Sequence, residues 1–179
     1  MRVRTVMRMR TWMRTLVVGG VVAAFVVALT ACGGESAKTA AAEATMQRKA
    51  TLYQIDQVER TFHKAGSTHD VNLMMSLWAP GATFNIGTHT YTGKAQIRKF
   101  FATVQPSFKP QNHWVDDTPA FKMRTTLDGD KATLYMECDF IDVKTRKVML
   151  VVGVDHKLQK INGKWLIVEG SGALTVMRQ

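Results

Sequence analysis

In "MQRKATLYQIDQVERTFHKAGSTHD" the apolar positions Leu52, Ile55, Val58 or Glu59, Phe62 and Ala65 recur at steps of three and four, the period of a helix with one buried face. Gly66 follows as the stop. A second, shorter helix is expected in "DVNLMMSLW", where Asp70 stands ready to accept hydrogen bonds from the free N–H groups of the first turn. "APG" breaks that helix. A third in "GKAQIRKFFATV" gathers Ile97, Phe100, Phe101 and Val104 on one stripe, and Pro106 closes it.

The period then changes from helix to strand. "ATFNIGTHTYTG" reads as two short strands around Gly87, and from about Trp114 onward the pattern is strand and turn, punctuated by "DGDK", "DVKTRK" and "INGK". Between these turns run Ala132–Ile141, Val148–Leu158 and Trp165–Val176, rich in Val, Leu, Ile, Met and aromatics. Three long strands joined by tight turns make an antiparallel meander, and helices gathered ahead of it make an α+β fold. The expected architecture is a curved antiparallel sheet wrapped around three N-terminal helices.

Alternation assigns faces. Leu134, Met136, Cys138 and Phe140 share one side of their strand, with Tyr135, Glu137 and Asp139 on the other. Val148, Leu150, Val152 and Val154 face one way along the next strand, but Met149 and Val151 opposite them are also apolar. A strand apolar on both faces is one covered on both. The second cover is expected to be another copy of the chain, giving a homodimer through the outer face of the sheet.

The first residues follow a different logic. Arg2, Arg4, Arg8, Arg10 and Arg14 precede "LVVGGVVAAFVVAL", which carries no charge and leads into "LTAC". A basic start, an apolar middle and a small-residue exit make an export signal, and the apolar run is shorter than the roughly 20 residues of a membrane-spanning helix. "LTAC" resembles the lipobox of bacterial lipoproteins, which implies diacylglycerol on the Cys32 thiol, cleavage before Cys32, and commonly a further acyl chain on the new amino terminus. Two or more acyl chains hold a soluble domain durably to a bilayer. The alternative is an ordinary signal peptide that leaves Cys32 an unmodified thiol. The lipobox reading divides the chain into a signal peptide (1–31), a flexible tether (32–46) of small and polar residues, and one domain (47–179). It places that domain on a cell membrane, facing outside the cytoplasm.

Removing the signal arginines halves the net charge of +10. The remaining excess is scattered and lacks the interleaved basic and aromatic pattern of a nucleic-acid surface, so no nucleic-acid partner is expected. With Cys32 lipidated, Cys138 has no disulfide partner and is read as buried and inert.

"HDVNLMMSLWAPGATFNIGTHTYTGKAQIRKFF" resembles the opening of the SnoaL-like, nuclear transport factor 2-like family. The matching residues are Asp70, Leu77–Trp78, Ala82–Phe84, Gly93, and Ile97 with Phe100 and Phe101. "DGDKATLY" and "DHKLQKINGKWLI" resemble later phrases of the same family. The resemblance implies a cystatin-like cone with a pocket between sheet and helices, frequent dimers and no shared catalysis. Its steroid isomerases place a general-base Asp where this chain has Ile86, and an oxyanion-donating Tyr where it has Phe62. Only their second donor, an Asp, has a counterpart, Asp155 in "VVGVDH". Proton abstraction beside a carbonyl needs a base within hydrogen-bond reach, so that mechanism is not expected here.

A pocket pair of Asp155 and His113 is the alternative acid–base chemistry, and Tyr53, Trp78, Phe84, Ile86, Phe100 and Met136 are the expected pocket wall. No spacing of His, Cys or acids suggests a metal, and no phosphate loop or nucleophile elbow is present, so no cofactor is expected. Two functions from different classes follow. The favoured one is a membrane-tethered module that binds a small apolar ligand or a protein partner. The other is a lyase- or isomerase-type enzyme using Asp155 and His113.

Overall fold

The computed structural model describes residues 33–116 and 122–175. Cys32 and the expected signal peptide (1–31) lie outside the described residues. The chain divides into two units, Met1–Ala40 and Ala41–Gln179, and every strand among the described residues belongs to the second. Among the described residues no helix is long and apolar enough to cross a membrane.

Helix α1 spans Gly33–Ser67. It therefore includes residues 33–46, expected above as a structureless tether. That expectation counted large apolar residues and overlooked propensity: "ESAKTAAAEATMQRKA" is dominated by Ala, Glu, Lys, Gln, Met and Arg, the strongest helix formers. Residues 36–50 are all exposed, so propensity rather than packing accounts for this stretch. From Thr51 on, the helix acquires a buried stripe that includes Ile55, Val58, Glu59, Phe62, His63 and Ala65. Helix α2 (Val71–Ser76) is capped as expected, with Leu73 N–H donating to Asp70 Oδ1 at 2.8 Å. Helix α3 (Gly93–Lys99) continues into a π-turn at Phe100–Val104 and a 3-10 turn at Pro106–Phe108.

The strands are β1 (Trp78–Ile86), β2 (His89–Thr92), β3 (Trp114–Asp116), β4 (Met123–Asp128), β5 (Lys131–Asp142), β6 (Val148–Ile161) and β7 (Lys164–Thr175). They form one seven-stranded sheet in the order β2-β1-β7-β6-β5-β3, with β4 also paired to β5. The meander closes with tight turns where the sequence signalled them. Asn162 and Gly163, both at positive φ (50° and 78°), make the two-residue link between β6 and β7.

One pairing departs from the all-antiparallel expectation: β1 and β7 run parallel. The crossover through α3 frees the direction in which the chain re-enters the sheet at its other end, and three antiparallel steps then return β7 alongside β1. β3 and β4 share one edge of β5, Asp116 pairing with Phe140 and Thr125 with Leu134. The core forms on the inner face, where Leu134, Met136, Cys138 and Phe140 of β5 meet Leu150, Val152, Val154 and Leu158 of β6. The buried stripe of α1 packs across this face, with the Phe62 ring 5.2 Å from that of His156 and 6.1 Å from that of Phe101.

Candidate functional site

Three elements converge at the floor of the cone. Along α1, Glu59 and His63 are one turn apart, so both side chains leave the same face. That face is the buried one: each has 0% exposure, and His63 Nδ1 stands 3.1 Å from Glu59 Oε1. On the sheet side, Asp116 is opposite Phe140 on β5, and Cys138 is two residues from Phe140 and therefore on the same face. His63 Nε2 stands 3.3 Å from Cys138 Sγ and 3.8 Å from Asp116 Oδ2.

One hydroxyl fixes the register between helix and strand. Ser67 Oγ accepts from the Asp116 N–H at 2.7 Å and donates to the Asp116 carbonyl at 3.2 Å. This joins the last turn of α1 to β3 and aims the Asp116 carboxyl at His63. Helix and strand approach closely here: a Cβ built on Gly66 would be in ordinary van der Waals contact, 3.6 Å from Asp116 Oδ2 and 3.8 Å from the Phe140 ring.

Burial sets the electrostatics. It pushes the Asp116 carboxyl from the ordinary carboxylate range up to about 7, against the opposing influence of His63 and of the Cys138 thiol. Burial, with Asp116 adding to it, holds the Cys138 thiol well above its usual range. The thiol is buried, as strand alternation leads one to expect, but it is not surrounded by apolar groups alone, with a histidine and a carboxyl for neighbours.

The floor opens on a cavity of about 20 Å³ lined by Asp116, Cys138 and a wall of Phe62, Phe84, Phe100 and Phe101. That volume holds roughly one water. Ile86, Phe100 and Gln105 line this cavity and also a surface groove of about 840 Å³, whose other walls include Tyr91, Val104 and Trp114. The groove is the mouth of the cone.

The pair expected from the sequence does not form. Asp155 is exposed on the outer face of β6, beside Tyr135 and Ser171, and its neighbour His156 is the residue that points inward, with 1% exposure. Matching by motif missed the inner face by one residue, which on a strand means the opposite side of the sheet. Alternation through Leu150, Val152 and Val154 leads to His156 and contained the right answer. His113 is exposed, and its carbonyl accepts from Val143 N–H at 3.2 Å, at the far end of β5 from Tyr135. The separation is about eight residues, or about 26 Å of strand.

Of the expected wall residues, Phe84, Ile86 and Phe100 line the cavity. Trp78 and Met136, at 0% exposure, are core behind it, and Tyr53, at 65%, is on the surface. The sequence reading overlooked His63, Glu59 and Asp116 as a group. The helical stripe that ran through "Val58 or Glu59" carried a signal for the first two; nothing local carried one for Asp116.

The fold is the cystatin-like cone of nuclear transport factor 2-like proteins, an α+β class in which the concave face of a curved sheet holds the pocket. Within that class the chain belongs to the SnoaL-like domain family, which matches residues 47–170. A nuclear transport factor 2-like protein with a cystatin-like fold from Novosphingobium aromaticivorans superposes with a TM-score of 0.64 at 15% identity, covering 74% of this chain and 86% of that one. A nuclear transport factor 2-like protein from Streptomyces avermitilis, assigned as a dehydratase, gives 0.58 at 13%, covering 73% and 99%. A type 2 hexachlorocyclohexane dehydrochlorinase gives 0.59 at 16%, covering 75% and 93%. No curated protein matches the sequence.

Proposed function

We propose that this is a lipid-tethered enzyme of lyase type, which takes a proton from a small, mostly apolar molecule at the floor of the cone. The observation that carries the reading is the line Glu59, His63, Asp116, with spacings of 3.1 and 3.8 Å, ending at a carboxyl on the cavity wall. Buried acid–base clusters in a cleft are where functional sites concentrate. A protein assigned as a dehydratase and a dehydrochlorinase, both on the same fold, support an elimination as the reaction class.

In such a step the Asp116 carboxylate takes a proton from carbon. The C–H electron pair becomes the new π bond, and the group on the adjacent carbon leaves with its own pair, as halide, or as water after receiving a proton. His63, oriented by Glu59, stabilises the charge that moves onto and off Asp116. The phenylalanine wall excludes water and selects an apolar body. Substrate would enter by the mouth groove and reach Asp116 only once the side chains shared by groove and cavity turn aside, because the cavity holds only about 20 Å³.

Deuterium wash-in tests this reading. The detergent-extracted chain, incubated in heavy water with a panel of small β-hydroxy and β-halo compounds, should exchange or eliminate at least one, followed by NMR. Asp116→Asn should slow that reaction roughly a hundred- to ten-thousand-fold. An equal rate in the variant would remove Asp116 from the mechanism.

A second reading, the binding module, is favoured by the apolar mouth, where Val104 is 52% exposed above a cone already filled by aromatic rings. It expects a co-purifying apolar ligand whose retention is unaffected by Asp116→Asn. Under either reading the chain is held outside the cytoplasm by lipid on Cys32, and an unmodified Cys32 in the mass spectrum of the mature protein would exclude the tether. The outer face around Tyr135 and Val151 is the surface where a second copy would pair. Sedimentation of the extracted chain as a monomer would exclude that dimer.

A further inference from the structure

The groups on the cone floor have a property that proton transfer does not need. An imidazole, a thiol and a carboxyl, from α1, β5 and β3, place their donor atoms within 4.8 Å of one another, and all three residues are buried. Around a tetrahedral zinc ion, ligands at the usual bond lengths put nitrogen and sulfur about 3.6 Å apart, and nitrogen and oxygen about 3.4 Å apart. Here Nε2 of His63 is 3.3 Å from Cys138 Sγ and 3.8 Å from Asp116 Oδ2. The distances bracket the tetrahedral values from both sides.

Two further observations point to a bound ion. Asp116 is only 6% exposed, yet among the described residues no hydrogen-bond donor apart from the thiol of Cys138 reaches either carboxyl oxygen. A carboxyl so buried ordinarily has donors to satisfy it. On the other side of the imidazole, Glu59 stands 3.1 Å from Nδ1. A carboxylate on the distal nitrogen of a histidine is the arrangement that orients metal-binding imidazoles and makes them more basic.

We propose that the floor of the cone is a binding site for one zinc ion, held by His63 Nε2, the Asp116 carboxylate and Cys138 Sγ, with Glu59 supporting the imidazole. Three protein ligands leave a fourth position. It faces the cavity lined by Asp116 and Cys138, which has room for one water. Thiolate with imidazole selects zinc over magnesium and calcium, which require six or more oxygen ligands. The ion would occupy both Asp116 and His63, so a loaded cone could not take a proton at Asp116. This inhibitory consequence rests on the lyase reading; the metal site does not.

The test uses the full detergent-extracted chain, stripped with a chelator and titrated with Co²⁺ alone. One equivalent should bind, with a thiolate-to-cobalt band in the near ultraviolet and the visible bands of a tetrahedral ion, and one equivalent of Zn²⁺ should displace it. Cys138→Ser should abolish the thiolate band and weaken binding roughly tenfold or more, whereas Cys32→Ser should leave both unchanged. Glu59→Gln should keep the band and weaken binding by about 10- to 100-fold.

The proposal fails if no saturable binding occurs, if the spectrum is octahedral with no thiolate band, or if the band survives Cys138→Ser. Should Cys138→Ser not fold, Cys32→Ser decides alone, because its single remaining cysteine is Cys138. The readout needs no substrate. A protein that binds cobalt and, once stripped of metal, turns nothing over keeps the metal site and loses the lyase reading, and the converse outcome keeps the lyase and loses the metal.

Discussion

Two histidines are buried in this cone, in very different surroundings. His63 faces Glu59, Asp116 and Cys138. His156, at 1% exposure, sits 5.2 Å from the ring of Phe62 and 5.7 Å edge-on from Trp78, and neither of its ring nitrogens has a hydrogen-bond partner among the described residues. Burial, with the nearby His63 adding to it, lowers the His156 pKa to about 3, so at neutral pH it is an uncharged aromatic filler. Equal burial thus produces a spectator in one place and a reactive cluster in the other. The difference lies in the carboxylates and the thiol that the tertiary structure brings to His63.

The largest effect should come from His63→Leu, with His156→Leu as its comparison. His63→Leu leaves Glu59 buried without the imidazole it faces and should cost about 3–5 kcal/mol of unfolding free energy. His156→Leu exchanges an unsatisfied polar ring for an apolar side chain and should stay within about 1 kcal/mol of wild type at pH 7. Urea unfolding of both variants compares them directly. Equal costs would erase the distinction.

Acid titration sharpens it. The unfolded chain takes up a proton at His156 near the ordinary value of about 6.5, whereas the folded chain does so only at about 3. Between these values the unfolded state binds more protons, so this contribution is complete above about pH 6.5 and is lost as the pH falls toward 3. By pH 4 it should remove roughly 3 kcal/mol relative to pH 7. His156→Leu should flatten the corresponding slope of stability against pH; an unchanged slope would assign the acid sensitivity elsewhere.

Packing around His156 gives a smaller effect. A Cβ on Gly170 would lie 2.8 Å from Trp78 Cη2 and 2.9 Å from His156 Cδ2. Gly170→Ala should therefore cost about 1–3 kcal/mol by overpacking, measured as a lower urea midpoint with an unchanged slope. The smallest effect is expected from Asp155→Asn and His113→Ala. Both residues are exposed, and each change should stay within about 0.5 kcal/mol and leave turnover and cobalt binding as they are.

Much of the cone could be read from the chain. Three and four spacing located the helices, Asp70 announced its cap, and "INGK" announced the turn at Asn162 and Gly163. Alternation put Leu134, Met136, Cys138 and Phe140 inside. The ordered phrases around Trp78, Phe84 and Gly93 resembled the right family. The helical extension back to Gly33 was also legible as propensity, although a reading that looked for a core passed over it. Asp155 failed for a local reason: on a strand a shift of one residue exchanges inside for outside, and His156 was the inward neighbour.

The sequence by itself determined the local periods, the turns and the faces, because each depends on residues a few positions apart and on backbone geometry common to all chains. It also determined that Glu59 and His63 would share a helix face. Only the tertiary structure decided that Asp116 and Cys138 would meet them. That meeting depends on a β3–β5 register, on the Ser67 bridge and on the close approach at Gly66, contacts between segments far apart in the chain. Side chains assembled across such distances have no fixed spacing to recognise, and their chemistry exists only once the fold has removed water from around them.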